Sequence, residues 1–453
     1  MSFVNQLTQW TGEAAATLSH NPVTLAIIVG AGIYLTIRLG VVQVMGFRHA
    51  LSVIRGRYSK TTDQGQVNHF QALSTALSAT VGMGNIAGVA TAIALGGPGA
   101  LFWMWVTASV GMATKFTEST LAIKFRQVDA EGEIAGGPMY TLMNGLKMKR
   151  TALLYALFAL MTAIVIGNLV QANSVVDGLA FIWPELKHYS WLVGIALAFP
   201  VGLVIIGGVR RIAHVASAVV PFMALLYIVS GLIVLIVHIE QLPNAIATIF
   251  SQALNPWSVG GGAVGSAIQW GVIRGLFSNE AGLGSSAMAH AAARTNEPVR
   301  EGLVAMMEPF VDTLVICTIT GLTIVVTGAY IDSGNTASAS VTALAFSAGL
   351  GESAGGIVIG VSIVLFAFST MLSWSYYGDR SAEFIFGERA VMPYRLLYTM
   401  LVVVGAWVPL PLVWNLADIA TVLMAIPNLF ALILLASLVK KLKIDYFKRM
   451  NNP

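Results

Sequence analysis

Two short stretches of this sequence place glycine and polar residues where the chain on either side is almost wholly apolar. The first reads Ser78-Ala-Thr-Val-Gly-Met-Gly-Asn85. The second reads Gly271-Val-Ile-Arg-Gly-Leu-Phe-Ser-Asn-Glu-Ala-Gly-Leu-Gly284 and adds the charges of Arg274 and Glu280. Glycine is a poor helix residue, and a helix broken within lipid is tolerated only where the freed backbone is buried in protein or lines a cavity. The broken ends would carry the chemistry. A half-helix starting near Gly82, Met83, Gly84 and Asn85 offers free N–H groups and a positive dipole end to a carboxylate. The half-helix ending near Ser78 and Val81 offers free carbonyls to a cation, and hard cations take oxygen ligands. An amino acid zwitterion accompanied by Na⁺ could be held there with few charged side chains. Taken singly, either stretch has the alternative reading of a run of close helix-packing glycines, the less favoured of the two.

The elements that must position these stretches are apolar windows bounded by charge, Gly and Pro. Eleven are legible, at 22–44, 68–95, 98–123, 151–176, 190–207, 214–238, 262–288, 303–330, 355–385, 393–410 and 412–439. Each is close to the ~20 residues needed to cross hydrocarbon. The interrupted windows are the second and the seventh. That offset of five is expected if spans two to six and seven to eleven form inverted repeats, with span one an extra N-terminal helix. Interrupted helices at corresponding positions of two halves point to a transporter binding site. The predicted organisation is therefore an extra helix and first cytoplasmic loop over 1–67, a first repeat over 68–238, a second over 262–439 and a basic tail over 440–453. The hydrophilic stretches 48–67 and 126–150 read as cytoplasmic loops with short interfacial helices.

Composition excludes most other classes. Hydrophobic residues make up 56% of the chain and charged residues only 10%, against about 25% charged in soluble domains, so the surface is expected to face lipid. The run at 22–37 is preceded by Glu13 and His20 with no Lys or Arg, unlike a cleaved signal peptide. A single cysteine, Cys317, rules out a disulfide within the chain. The basic residues are dispersed over loops, so the net charge of +4 does not imply nucleic acid. The seven histidines are scattered with no zinc-like spacing, which argues against a membrane enzyme. Lys and Arg in the short loops fall almost entirely on one side if the N-terminus lies outside, with Lys187 the exception. A cytoplasmic C-terminus in the inner membrane follows.

Longer motifs then stand out. The run Gly96-Gly-Pro-Gly-Ala-Leu-Phe-Trp-Met-Trp-Val-Thr-Ala-Ser-Val-Gly111 closely resembles the signature of the alanine or glycine:cation symporter family. Asn68-His-Phe-Gln-Ala-Leu, Gly82-Met-Gly-Asn-Ile-Ala-Gly88, Ala135-Gly-Gly-Pro-Met-Tyr140, Phe277-Ser-Asn-Glu-Ala-Gly-Leu-Gly-Ser285 and Trp374-Ser-Tyr-Tyr-Gly378 are similar to the same family. The resemblance covers nearly the whole chain. It implies Na⁺- or H⁺-coupled uptake of small neutral amino acids on a LeuT-type fold of five plus five helices, with Na⁺ as the coupling ion and no other cofactor. Met83 departs from the pattern, because that position in the family is often Thr. A thioether offers no hydroxyl to a carboxylate, and its bulk is expected to narrow the pocket toward glycine. A channel is the rival class.

Within that fold several further residues become candidates. Gln171 in span four is expected to touch the substrate, the alternative being interhelical glue. Ser369 and Thr370 resemble the adjacent hydroxyls that complete a Na⁺ site with the carbonyls of Ser78 and Val81, Thr370 being a substrate-binding candidate as well; bonding back along their own helix is the alternative. Trp374, one turn after Thr370, would close the pocket and set substrate size. The ammonium is expected at carbonyls near Ile273 and Gly275, with Phe277 shaping the side-chain end. Among the intramembrane charges Lys115, Glu118, Arg274, Glu280, Glu308, Asp312 and Asp418, spacing puts Lys115 with Glu118 and Glu308 with Asp312 on common helix faces; most read as gate or structural pairs, with Arg274 and Glu280 the expected gate pair.

Overall fold

The computed structural model describes residues 3–60, 62–128, 133–254, 263–332 and 339–451. The described chain is a bundle of helices with one short antiparallel strand pair, Gln127–Val128 with Ile134–Ala135. In chain order the helices are α1 (Phe3–Leu18), α2 (Pro22–Arg38), α3 (Phe47–Ile54), α4 (His69–Thr80), α5 (Gly84–Gly96), α6 (Gly99–Phe125), α7 (Lys149–Ile182) and α8 (Ser190–Ile205). They continue as α9 (Gly208–Val237), α10 (Leu242–Leu254), α11 (Ala263–Asn279), α12 (Ala287–Ala291), α13 (Pro298–Thr327), α14 (Ala339–Leu350), α15 (Glu352–Phe386), α16 (Val391–Trp407) and α17 (Leu410–Asn451).

Among the described residues six helices are long and apolar enough to cross a membrane, or up to eight if each of two bent pairs counts as one span. Those pairs are α1 with α2, bent by 50°, and α4 with α5, bent by 51°. The protein is therefore a multi-pass membrane protein. The start of the expected seventh span at 262 lies outside the described residues.

Local sequence explains the element ends. Asn21 caps α2 by accepting from Val23 N–H, and Pro22 occupies the first turn, where a missing N–H costs nothing. Asn68-His-Phe-Gln71 is a capping box: Asn68 Oδ1 accepts from Gln71 N–H at 2.8 Å while Gln71 Oε1 accepts from Asn68 N–H at 3.0 Å. The first span closes at Arg38 instead of residue 44, because Gly40 (φ +63°) and Val41 (φ +51°) turn the chain in the left-handed region. Helix α1, which lies outside the eleven expected spans, packs along α17.

Helix α17 continues into the expected basic tail as far as Asn451, and its end is fastened to the loops. Arg449 makes a bidentate pair with Glu297 at 2.7 and 3.0 Å, Lys443 donates to the Leu39 carbonyl, and the Tyr446 hydroxyl meets His49 Nε2 at 2.7 Å. In the interior α11 packs along α6, α15 along α7 and α9, and α16 along α8. Both interrupted stretches sit in this interior.

Candidate functional site

The first break is centred on Val81 and Gly82. Val81 ends α4 with φ −76° and ψ 87°, and α5 begins with a wide π-type turn over Gly84–Gly88. Such turns recur at functional sites. Asn85 holds the broken turn together: its Oδ1 accepts from Gly82 N–H at 2.8 Å, and its Nδ2 donates to Asp312 Oδ1 at 2.6 Å. The Met83 N–H donates to Gln171 Oε1 at 3.3 Å. Gln171 follows a second wide turn, Val165–Val170, and its amide donates to the Ile166 carbonyl freed there. Gly82, Met83, Asn85 and Gln171 are thus one buried hydrogen-bonded group.

Across the break lies α15. The Ser369 hydroxyl bonds back along its own helix to the Phe366 carbonyl at 3.0 Å and also faces the Ser78 carbonyl at 3.4 Å, while the Thr370 hydroxyl donates to the Ala79 carbonyl at 3.2 Å. Ser78 Oγ returns a bond to the Ser369 carbonyl at 2.6 Å. Gly82 is pressed onto this pair, since a Cβ there would lie 2.4 Å from Thr370 Oγ1. Two hydroxyls and two carbonyls at the end of a half-helix are the donor set a small hard cation accepts. Hydroxyls that now donate to the carbonyls can rotate to offer lone pairs instead.

The second interruption differs from expectation. Helix α11 is continuous to Asn279, and the break falls at Glu280 (φ +54°), Gly282 (φ +107°) and Gly284 (φ +73°). Ile273 and Gly275 therefore lie within regular helix, where their carbonyls are engaged. Ile273 packs against Leu25 of α2, and Gly275 against Met104 and Thr107 of α6. The free carbonyls come one turn later. The Ala281 N–H turns to Asn279 Oδ1 at 3.0 Å and the Gly282 N–H to Glu118 Oε1 at 2.8 Å. Phe277 and Ser278 are thereby left without their helical partners. Both residues abut the first break, because a Cβ on Gly84 would lie 3.0 Å from Ser278 Cα and 3.3 Å from a Phe277 ring carbon.

The charged residues also pair otherwise than expected. Arg274 does not meet Glu280; it pairs with Asp418 of α17 at 2.9 Å, under the rings of Trp414, Trp270 and Phe277. Lys115 pairs with Glu308 at 3.0 Å, not with Glu118, in a buried chain that runs on through His290 and Glu301 to His69. Both ring nitrogens of His290 face carboxylates, at 2.5 and 2.7 Å. Trp374 is fully buried, with its indole N–H on Glu280 Oε1 at 2.9 Å.

Sequence reasoning took Asp312 for a gate or structural charge and gave Ser278 no role. The Asp312 carboxylate joins both breaks, accepting from Asn85 on one oxygen and from Ser278 and Thr313 on the other, at 2.6, 2.8 and 2.7 Å. Its place in the apolar run 310–317, which forms a third wide turn, was the available signal.

Two broken helices facing each other inside a multi-pass helical bundle define a transport protein. The solved structure of MhsT in complex with L-phenylalanine shares the fold, with a TM-score of 0.61 over 82% of this chain and 89% of that one, at 14% identity. The chain belongs to the sodium:alanine symporter family, which it matches over residues 4–453. It is 47% identical over 425 residues to the sodium/alanine symporter AgcS of Methanococcus maripaludis, covering 92% of each chain. To the probable sodium/glutamine symporter GlnT of Bacillus subtilis it is 37% identical, over 96% of this chain and 90% of that one. Amino acid symport, and not enzyme catalysis, is the activity of this class.

Proposed function

We propose that this protein is a Na⁺-coupled symporter that carries alanine, glycine or both across the cytoplasmic membrane. The observation that carries the reading is the convergence of the Ser369 and Thr370 hydroxyls on the Ser78 and Ala79 carbonyls at the broken end of α4. Na⁺ travels at that point, with Val81 within reach at the end of the half-helix. The substrate carboxylate takes N–H groups at Met83 and Gly84, displacing the Gln171 amide oxygen from Met83. Its ammonium meets the carbonyls of Phe277 and Ser278, one turn beyond Ile273 and Gly275. Ion and substrate then share one broken segment, so binding of either orders the backbone that the other needs.

Eleven spans in two inverted five-helix repeats, 68–238 and 262–439, with one helix outside them, is the topology in which α4–α5 and α11–α12 correspond. The N-terminus lies outside and the C-terminus in the cytoplasm, and lipids cover the apolar perimeter. Tags at the two termini are expected to be labelled from opposite sides of the membrane by impermeant reagents. Both ends reacting from the same side refutes the topology.

Uptake of labelled alanine and glycine into proteoliposomes tests the function. Accumulation driven by an inward Na⁺ gradient is expected. Accumulation that follows a proton gradient with no Na⁺ requirement replaces the coupling ion, and non-saturable flux without accumulation makes the protein a channel.

Substrate size tests the pocket. Trp374 and Met83 close the cavity round a methyl-sized side chain, and overfilling a packed site costs about 1–3 kcal/mol. Valine and leucine are therefore expected to compete at least about tenfold less well than alanine. Trp374→Phe should admit them at some loss of alanine affinity; an identical competition profile at equal expression removes Trp374 from the pocket wall.

A further inference from the structure

We propose that Glu280 is a positioning residue for substrate selection, which it sets by holding the indole of Trp374. The inference rests on the reading of Trp374 as a pocket wall and extends it to a residue in the opposite broken helix. Glu280 is fully buried, and its two carboxylate oxygens are divided between two elements. Oε1 accepts from Trp374 Nε1 on α15 at 2.9 Å, and Oε2 accepts from Ser285 Oγ beyond the break at 2.5 Å. Neither neighbouring cation claims it, since Lys115 pairs with Glu308 and Arg274 with Asp418. A buried indole N–H needs an acceptor, and Glu280 provides it. The residue also adopts a left-handed backbone (φ +54°), a conformation unfavourable for a side chain with a Cβ and retained only where its surroundings fix it.

The remaining contacts leave the indole little freedom. Trp374 lies against the bare backbone of Gly167, where a Cβ would fall 2.1 Å from its own Cβ, and edge-on to Tyr377 at 5.3 Å. The hydrogen bond to Glu280 is the polar tether that fixes where the ring ends. That tether starts at the break of α11, two residues from Ser278. Pocket width is thus written partly in the second broken helix, and rearrangement of that helix must shift or release the ring.

Two near-isosteric variants separate acceptor from bulk: Glu280→Gln keeps an oxygen that can accept from the indole, and Glu280→Met does not. In proteoliposomes, E280Q is expected to keep the wild-type competition profile. E280M should lose about tenfold of the discrimination between alanine and valine, as W374F does, and the double variant should be no broader than W374F alone. If W374F broadens the profile and E280M does not, Glu280 does not set the ring and the pocket reading stands. If W374F leaves the profile unchanged, the pocket reading fails and this inference with it. Should E280M not fold, ¹⁵N-tryptophan labelling gives a second readout. The indole N–H resonance that disappears in W374F is expected to move in E280Q, and an unmoved resonance overturns the proposal.

Discussion

Gly82→Ala is expected to lower uptake by a factor of about 5 to 150 while leaving the protein folded in the membrane. The added methyl would lie 2.4 Å from Thr370 Oγ1 and 3.3 Å from Gln171 Oε1, and overpacking of this kind costs about 1–3 kcal/mol. No backbone strain contributes, because Gly82 is not among the residues with positive φ. The cost is paid by the two groups that would meet ion and substrate: Thr370 has to leave the Ala79 carbonyl, or Gln171 has to leave the Met83 N–H. Initial rates of alanine uptake, normalised to protein in the membrane, measure it. Wild-type rates in this variant would mean that α4 and α15 separate at Gly82 during transport, and that their contact there is dispensable.

Thr370→Ala acts on the ion directly. Removing one oxygen ligand from a charged centre is worth about 1.5–3 kcal/mol, so the Na⁺ concentration for half-maximal uptake should rise about ten- to over a hundredfold. At saturating Na⁺ the alanine affinity should recover, since the lost group touches the ion and not the substrate. A Na⁺ dependence equal to wild type would move the ion away from this pair. Raised half-saturation for alanine at every Na⁺ concentration would instead assign Thr370 to the substrate.

The first break was legible because its signals are local. Gly82 and Gly84 interrupt an apolar window, and both the cap at Val81 and the turn at Asn85 lie within that window. Its partners Gln171, Ser369 and Thr370 were reachable only through the family resemblance, because no spacing in the sequence carries a contact across 88 or 291 residues. The second break was displaced by a glycine that packs. Gly271 lets α11 approach α6, where a Cβ would be 2.5 Å from the Ala100 carbonyl oxygen, whereas Gly282 and Gly284 take the positive φ angles that end the helix. Composition does not distinguish these two uses of the residue. Arg274 was paired with Glu280 on sequence proximity, yet its carboxylate is 144 residues away on α17. Asp312 was grouped with Glu308 by helical spacing, while the wide turn over 310–317 rotates it toward Asn85.

Helix α17 has a mechanical consequence. Asp418, paired with Arg274, and Arg449, paired with Glu297, belong to one helix, with Pro427 between them. At about 1.5 Å per residue they stand roughly 45 Å apart, more than the thickness of a hydrocarbon core. Such a rod is a lever with an electrostatic latch near each end. The latch at Asp418 is buried beside the second broken helix, while the one at Arg449 is exposed to water and weakened by salt. The two ends of one helix therefore answer differently to ionic strength: salt screens the Arg449–Glu297 pair and leaves the buried Asp418–Arg274 pair largely untouched.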